Sequence, residues 1–150
     1  MNIESILSLN RTHANIQASS KKRAIEEAAK LIANDLLGLT ADDIYNCLIA
    51  REKIGTTAIG DGIAIPHCRL RGCTEIVGSL ISLQEPVDFE AYDNQSVKLM
   101  FVILVPSEVV DEHLQALAML AKSFESPDYR QLLASAATNE ELYRRATQTP

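Results

Sequence analysis

The chain has 150 residues, 47% of them hydrophobic, which is enough to bury the core of one domain spanning residues 1–150. Its 14 Lys and Arg against 20 Asp and Glu give a net charge of −6, and an acidic domain is a poor ligand for a phosphate backbone, so we expect no nucleic-acid partner. The longest apolar run, residues 99–105, falls far short of the roughly 20 residues that a membrane helix needs, so we expect no membrane insertion.

The N-terminal segment and the cysteines indicate a location. The start of the chain carries Glu4 and lacks a basic stretch followed by a long apolar one, so it does not resemble a signal peptide. The three cysteines, Cys47, Cys68 and Cys73, are an odd number and form no disulfide-framework pattern. We therefore expect a reducing, cytoplasmic setting, with the cysteines in structural or incidental roles.

The first third of the chain predicts one short strand and two helices. Residues 13–17 are a candidate strand, and apolar residues recur at helical spacing over residues 20–37. Thr40 begins a second helix, which ends before Gly55. Arg51 lies in the last turn of that helix, on the face of its apolar residues. There it either caps the helix or reaches over the following glycine turn toward the histidine described next.

A glycine-rich segment at residues 55–69 carries the clearest chemical signal. Its glycines permit tight turns, and the apolar run at residues 63–65 predicts a short buried strand. Pro66 has no N–H group and ends that strand. We therefore expect the strand to hold the backbone of His67 in place while its ring stays accessible. Because histidine is largely neutral near pH 7, a ring nitrogen of His67 can act as a nucleophile. The alternative is a loop histidine without a role.

Two later segments predict buried strands, and a helix follows the second. Residues 75–83 and 97–105 carry apolar side chains on both faces, which is typical of a sheet covered by helices on each side and indicates an α/β fold. The next helix, near residues 111–124, places His113 in its first turn, beside an apolar stripe. If the strands before the two histidines are parallel, His67 and His113 meet at one edge of the sheet. The alternative for His113 is a satisfied core residue.

The remaining elements are turns and short helices. Residues 85–94 hold turn formers that include Pro86. Pro127 opens a short helix, and a capping box at residues 138–141 opens the last one. The apolar stripe of the helix near residues 111–124 comprises Leu114, Leu117, Leu120, Ala121 and Phe124.

The glycine-rich segment resembles the phosphorylation-site signature of the mannitol/fructose-type enzyme IIA proteins of the bacterial phosphoenolpyruvate phosphotransferase system. The matching residues are Glu52, Ile59-Gly60, the run Ile63-Ala64-Ile65-Pro66-His67 and the small residue Cys68. The resemblance covers most of the chain, up to the Glu-Glu-Leu-Tyr of residues 140–143, and is greatest to the free-standing nitrogen-regulatory branch. The sequence departs from that pattern at Ala58 and Cys68, where glycine is frequent, and at Ser96, where proline is usual.

The resemblance implies a fold, a reaction and a set of site residues. The fold is a mixed β-sheet flanked by α-helices on both faces. His67 accepts a phosphoryl group from an HPr-like phosphocarrier protein, and no cofactor or metal takes part. His113 and Arg51 are the helpers, with the hydroxyl of Thr57 in support. Because the sequence has no P-loop, we do not expect ATP as the donor. The apolar region of Ile59, Ile63 and Ile65 is the expected docking surface for the carrier.

Three functions stay open at this point. The first is a regulatory module whose phosphorylation state selects partner proteins, such as a transporter subunit or a sensor kinase; the nitrogen-regulatory resemblance and the lack of a permease segment in this chain favour it. The second is a sugar-specific IIA protein that passes the phosphoryl group to a IIB permease domain. The third is a zinc protein built from His67, Cys68, Cys73 and His113, which lacks the usual paired CxxC spacing.

Overall fold

The computed structural model describes residues 1–108 and 111–148. Its strands are β1 (Thr12–Ile16), β2 (Ala58–Gly60), β3 (Ile63–Ala64), β4 (His67–Leu70), β5 (Val77–Val87) and β6 (Val97–Pro106). Its helices are α1 (Lys21–Ala33), α2 (Ala41–Ile54), α3 (Asp111–Ser123), α4 (Pro127–Ala134) and α5 (Asn139–Gln148). Two 3₁₀ turns, Ile3–Ser5 and Leu9–Arg11, precede β1.

Side chains at the helix starts explain why three of the helices begin where they do. The hydroxyl groups of Ser20, Thr40 and Ser126 accept hydrogen bonds from backbone N–H groups in the first turns of α1, α2 and α4. Such N-caps satisfy N–H groups that have no partner within the helix. The predicted start of the second helix at Thr40 is therefore confirmed.

The strands form one mixed sheet in which β5 and β6 are the antiparallel pair at the centre. β1 lies parallel to β5 on the outer side of that strand. β3 and β4 lie one after the other along the other side of β6, and both are parallel to it. β2 pairs with β3 in antiparallel orientation. Among the described residues β4 pairs with β6 alone, so the start of β4 lies at an open edge of the sheet.

Helices cover both faces of the sheet, because the central strands are apolar on both sides. Successive side chains of a strand point to opposite faces, so Met100, Val102 and Leu104 of β6 pack on one side, with α1 and α2. Phe101 and Ile103 pack on the other side, with α3, α4 and α5. The expected α/β class, a mixed sheet flanked by α-helices on both faces, is confirmed.

The segment around Pro66 differs from the predicted short strand that ends at Pro66 just before His67. Pairing with β6 stops after Ala64 and resumes at His67, so His67 begins β4 rather than following the end of a strand. The carbonyl of Pro66 still accepts a hydrogen bond of 2.9 Å from the N–H of Ile103. The proline therefore interrupts the ladder through its missing N–H group while the chain continues along β6.

Two other predicted boundaries are wrong. The first helix ends at Ala33 rather than near residue 37, with Asn34 as its C-cap. β5 continues through Pro86 to Val87, where the sequence predicts a turn. The pairing of β5 with β6 shifts register between Ser82 and Val87, and such an irregularity accommodates a proline, which cannot donate to the ladder.

The predicted apolar stripe of α3 is only partly buried. Ala116 and Leu120 of the helix are buried, whereas the side chain of Leu114 is 60% exposed and Ala121 also faces solvent. Leu114 and Ala121 are seven positions apart and share a helical face that is turned away from the sheet. None of the helices in the described residues has both the length and the apolar character needed to cross a membrane.

Candidate functional site

A tight turn between β2 and β3 directs the chain toward the candidate site. Gly60, Asp61 and Gly62 have φ angles of 94°, 58° and 79°, which is left-handed backbone that favours glycine. The N–H of Asp61 donates to a carboxylate oxygen of Asp93 at 2.8 Å. A Cβ atom on Gly60 would meet the side chain of Tyr92 at 2.9 Å, so close packing also requires glycine there. The two glycines therefore fix the backbone of the turn that leads into β3.

A buried carboxylate holds the segment that precedes this turn. Glu52 is 5% exposed, and its two carboxylate oxygens accept hydrogen bonds from the backbone N–H of Thr57 at 2.8 Å and from its hydroxyl at 2.5 Å. The ammonium group of Lys21 lies 3.4 Å from the same carboxylate and partly balances its charge. The carbonyl of Thr57 in turn accepts from the N–H of Ile65 at 3.0 Å. α2 is thus linked through Thr57 to the residues just before His67.

The imidazole of His67 is oriented by one hydrogen bond. Its Nδ1 lies 2.7 Å from the carbonyl oxygen of Ile65, and a carbonyl can only accept, so the proton of the neutral ring sits on Nδ1 and Nε2 keeps the lone pair. Burial lowers the pKa of His67 below its usual 6.5; the bond to Ile65 raises it and the charge of Arg51 lowers it further. The net direction is downward, so the ring is neutral and nucleophilic at pH 7.

The second histidine, His113, lies against the first. The ring centroids of His67 and His113 are 5.3 Å apart, and the planes cross at 65° in an edge-on arrangement. Both ring nitrogens of His113 are shielded from solvent and have no hydrogen-bond partner among the described residues. Burial lowers the pKa of His113, and the charges of His67, Arg69 and Arg51 act in the same direction. A buried polar group without a partner is costly, so a hydrogen-bonding group that entered the cleft beside this ring would be stabilised there.

Two arginines complete a shallow cleft of about 410 Å³ around these rings. Arg51 donates from Nη1 to the carbonyl of Gly55 at 2.8 Å, so it caps the end of α2 and also lines the cleft. Arg69 is exposed on β4, two positions after His67, and lines the cleft as well. Arg69 was not predicted as a site residue, although strand alternation puts residues two apart on one face and could have identified it. The other lining residues are Cys47, Ala50, Ile54 and Cys68.

The expected structural or incidental roles of the cysteines included no disulfide, and the structure contains one. Cys47 of α2 and Cys68 of β4 form a disulfide, with Cα atoms 5.9 Å apart. Spacing in the sequence could not identify this pair, because it forms where α2 packs against β4. Cys73 is the free thiol, is buried, and donates to the carbonyl of Glu75 at 2.9 Å.

The structure brings three of the four expected site residues to one cleft and holds the fourth beneath it. His67, His113 and Arg51 line the cleft together. Thr57 is buried with its hydroxyl committed to Glu52, which favours a positioning role over direct contact with a phosphoryl group. Cys68 is bonded in the disulfide and is therefore not available as a ligand of the alternative zinc site. The described residues contain no cluster of three or more His, Cys, Asp or Glu that could hold a metal ion.

The expected docking surface needs correction. Ile63 and Ile65 are buried in the core and only Ile59, at 38%, is exposed. The apolar side chains that do reach solvent near the cleft are Ile54, 83% exposed, and Leu114, which follows His113. Strand alternation and the cover of α3 bury the isoleucines, and the helix ends supply the exposed apolar surface instead.

Comparison with known proteins places this geometry in a family. A family model described as "Phosphoenolpyruvate-dependent sugar phosphotransferase system, EIIA 2" matches residues 5–148. A nitrogen regulatory protein of Pseudomonas aeruginosa is 44% identical over 142 residues, covering 95% of this chain and 92% of that protein. A nitrogen regulatory protein of Escherichia coli is 37% identical over 150 residues, covering 99% and 91%.

Solved structures agree with the sequence comparisons. The crystal structure of the nitrogen regulatory protein IIA-Ntr from Neisseria meningitidis superposes with a TM-score of 0.86 at 39% identity, covering 97% of this chain and 99% of that one. The crystal structure of IIA mannitol from Escherichia coli has a TM-score of 0.79 at 18% identity, covering 93% and 98%, which is a likeness of fold alone. The chain belongs to the EIIA 2 family of the phosphoenolpyruvate-dependent phosphotransferase system, and it is similar over most of its length to nitrogen-regulatory proteins of that system.

Proposed function

We propose that this protein is a nitrogen-regulatory IIA component that accepts a phosphoryl group on His67 from an HPr-like phosphocarrier and regulates partner proteins according to its phosphorylation state. One observation carries the proposal. His67 has its Nδ1 committed to the carbonyl of Ile65, and its ring meets the unpartnered ring of His113 in a cleft with two arginines. Family membership supplies the class of reaction.

The nucleophile of this reaction is Nε2 of His67. The lone pair on Nε2 attacks the phosphorus of the phosphorylated carrier, and the bond between phosphorus and the carrier breaks as the new N–P bond forms. The lowered pKa of His67 keeps the ring unprotonated near pH 7, so no proton has to leave before the attack. The hydrogen bond from Nδ1 to Ile65 shares the positive charge that the ring acquires.

The groups around His67 stabilise the oxygens of the phosphoryl group during its transfer. Phosphoryl transfer depends mainly on positioning and on electrostatic stabilisation of charge spread over three oxygens. The ring of His113 offers an N–H donor without another partner among the described residues, and Arg51 and Arg69 add fixed positive charge at the rim of the cleft. Glu52 acts indirectly, since it holds Thr57 and through it the backbone before His67.

The regulatory part of the proposal follows from what a phosphoryl group does to this surface. It adds a charge of about −2 beside exposed apolar side chains, among them Ile54 and Leu114. Burying such a charge without a compensating partner is costly, so proteins that dock on the apolar rim discriminate between the two states. The relatives named nitrogen regulatory protein support this use, with transporter subunits or sensor kinases as the expected classes of target. We also propose that the protein works in the cytoplasm, together with the phosphocarrier proposed as its donor.

A sugar-specific role is the second candidate, and similarities to two sugar-specific proteins support it. A fructose-specific EIIA component of Haloferax volcanii is 34% identical over 99 residues, covering 66% of this chain and 64% of that protein. A structure of the mannitol IIA enzyme in complex with phosphorylated IIB, from Escherichia coli, shares the fold at 18% identity and a TM-score of 0.76, covering 94% and 98%. In that role the protein would hand its phosphoryl group to a IIB partner.

The first prediction concerns the acceptor. We expect incubation with phosphoenolpyruvate, enzyme I and an HPr-type carrier to add the mass of one phosphoryl group to the native protein and none to His67→Ala. The adduct should be acid-labile, because it is a phosphoramidate. His13→Ala is the matched control, since His13 lies outside the cleft, and it should be phosphorylated like the native protein. Intact mass spectrometry gives the answer, and a phosphoryl adduct on His67→Ala would contradict the assignment.

The second prediction concerns the helpers. His113→Ala removes the ring donor and Arg51→Gln removes the guanidinium charge, and each should slow transfer from the phosphorylated carrier on the order of 10²-fold, the effect of losing one group that stabilises a developing oxyanion. Arg23→Gln removes an exposed cation that pairs with Glu26 outside the cleft, and its rate should equal the native rate. Rapid quench with mass detection measures the rates, and circular dichroism verifies folding. Native rates in both helper variants would return His113 and Arg51 to structural roles.

The third prediction separates the regulatory from the sugar-specific function. A regulator should bind a target of the transporter-subunit or sensor-kinase class with different affinity before and after phosphorylation, and its phosphoryl group should persist when a fructose- or mannitol-type IIB–IIC permease and sugar are added. Calorimetry with the phosphorylated protein and with His67→Ala compares the two states. Rapid, sugar-dependent loss of the phosphoryl group from His67 would defeat the regulatory assignment and leave the phosphocarrier chemistry intact.

A further inference from the structure

We propose that Cys47 and Cys68 are a reversible thiol–disulfide site that sets the rate at which His67 accepts a phosphoryl group. The redox site itself stands on the cysteine geometry, whereas its effect on the rate rests on the function proposed above. The two sulfurs join α2 to β4 in the wall of the cleft that holds the histidines.

The position of the disulfide ties it to the site residues. Cys47 lies one helical turn before Arg51 on α2, so both side chains lie on one face of the helix. Cys68 follows His67 directly in β4. The bond spans 21 positions of sequence, and the loop that it closes contains Arg51, Thr57 and His67. Closing this loop fixes the helix that carries the arginine against the strand that carries the nucleophile.

An acceptor for the reduced state lies beside Cys47. The Sγ atom of Cys47 lies 3.1 Å from the carbonyl oxygen of Arg69, a contact that is a hydrogen bond only when the sulfur carries a proton. After reduction the thiol of Cys47 can donate to this carbonyl, so reduction leaves no unpaired donor at that position.

Access distinguishes this pair from the third cysteine. Cys47 is half-buried and lines the cleft, so a small thiol or disulfide can reach its sulfur. Cys73 is buried in the core and bonded to the carbonyl of Glu75, and burial raises the pKa of its thiol, which disfavours the reactive thiolate. Oxidation should therefore be confined to Cys47 and Cys68.

The chemistry balances as an exchange with a low-molecular-weight disulfide. A thiolate of the pair attacks that disulfide and forms a mixed disulfide, which the second protein thiol resolves. The small disulfide gains two electrons and two protons and leaves as two thiols, while the bond between Cys47 and Cys68 forms. A dithiol reductant reverses the exchange. Disulfides in a reducing cytoplasm are usually transient and redox-sensing, which agrees with a reversible role here.

The oxidised form should be the faster acceptor. Phosphoryl transfer is sensitive to position, and a misplacement of 1 Å can cost about 10²-fold. The disulfide restrains part of the relative motion of α2 and β4, and so of Arg51 and His67. We therefore expect the oxidised protein to accept the phosphoryl group about three- to tenfold faster than the reduced protein. The cross-link should also raise Tm by about 5–10 °C, because it constrains the unfolded chain.

The experiment prepares the full chain in both states, with oxidised glutathione or with dithiothreitol, and removes each reagent. Denaturing alkylation and intact mass count the free thiols, differential scanning calorimetry measures Tm, and rapid quench measures transfer from purified phosphorylated carrier. Cys47→Ser and Cys68→Ser should each lose the redox dependence, so that the transfer rate of each variant is the same after both treatments. Cys73→Ser should keep the full redox dependence of the native protein.

The outcomes separate the two claims. Alkylation of all three cysteines after oxidation would overturn the redox site, and equal or slower transfer by the oxidised protein would overturn its effect on His67. A redox dependence that persists in Cys47→Ser would assign the effect to another protein of the assay and would also overturn the inference. If no phosphoryl group is transferred in either state, the proposed function fails, while thiol counts and Tm still decide the redox site.

Discussion

The hydrogen bond between Nδ1 of His67 and the carbonyl of Ile65 is the constraint on which the site depends. It selects the tautomer, orients the ring and directs the lone pair of Nε2 outward. The bond is only as rigid as the backbone of Ile65, which is tied through Thr57 to the buried carboxylate of Glu52 on α2. Glu52 therefore helps to fix the position of His67, the nucleophile of the proposed reaction, without contacting its ring.

Strand β6 sets the relation between the two histidines. β3 and β4 follow one another along the same side of β6 and run parallel to it, while α3 begins just beyond the end of β6. Parallel strands put the start of α3 near the edge where β4 lies, and the rings of His67 and His113 meet there. Pro66 contributes by dividing β3 from β4, so that His67 begins a strand at an open edge.

The sequence predicted the features that depend on neighbouring residues in the chain. It did not predict the contacts that depend on how separate elements pack together. Helical spacing placed Arg51 at the end of α2, and the Pro-His pair identified His67. The stated condition for the meeting with His113 was that the strands before the two histidines are parallel, and β3 and β6 meet it, although His67 itself begins β4. The pairing of Cys47 with Cys68 could not be predicted, because it arises from contact between two elements. The hydrogen bond from the hydroxyl of Thr57 to Glu52 could not be predicted either, because it depends on how the end of α2 meets the segment that follows it.

The most direct test of this account identifies the ring nitrogen that bonds phosphorus. Heteronuclear NMR on protein labelled with ¹⁵N in histidine reports the tautomer of His67 before phosphorylation and the phosphorus–nitrogen coupling after it. We expect a proton on Nδ1 of His67 in the free protein and phosphorus on Nε2 of the same ring in the phosphorylated protein. Phosphorus on Nδ1, or a free ring protonated on Nε2, would contradict it, because either result requires the bond to Ile65 to be absent.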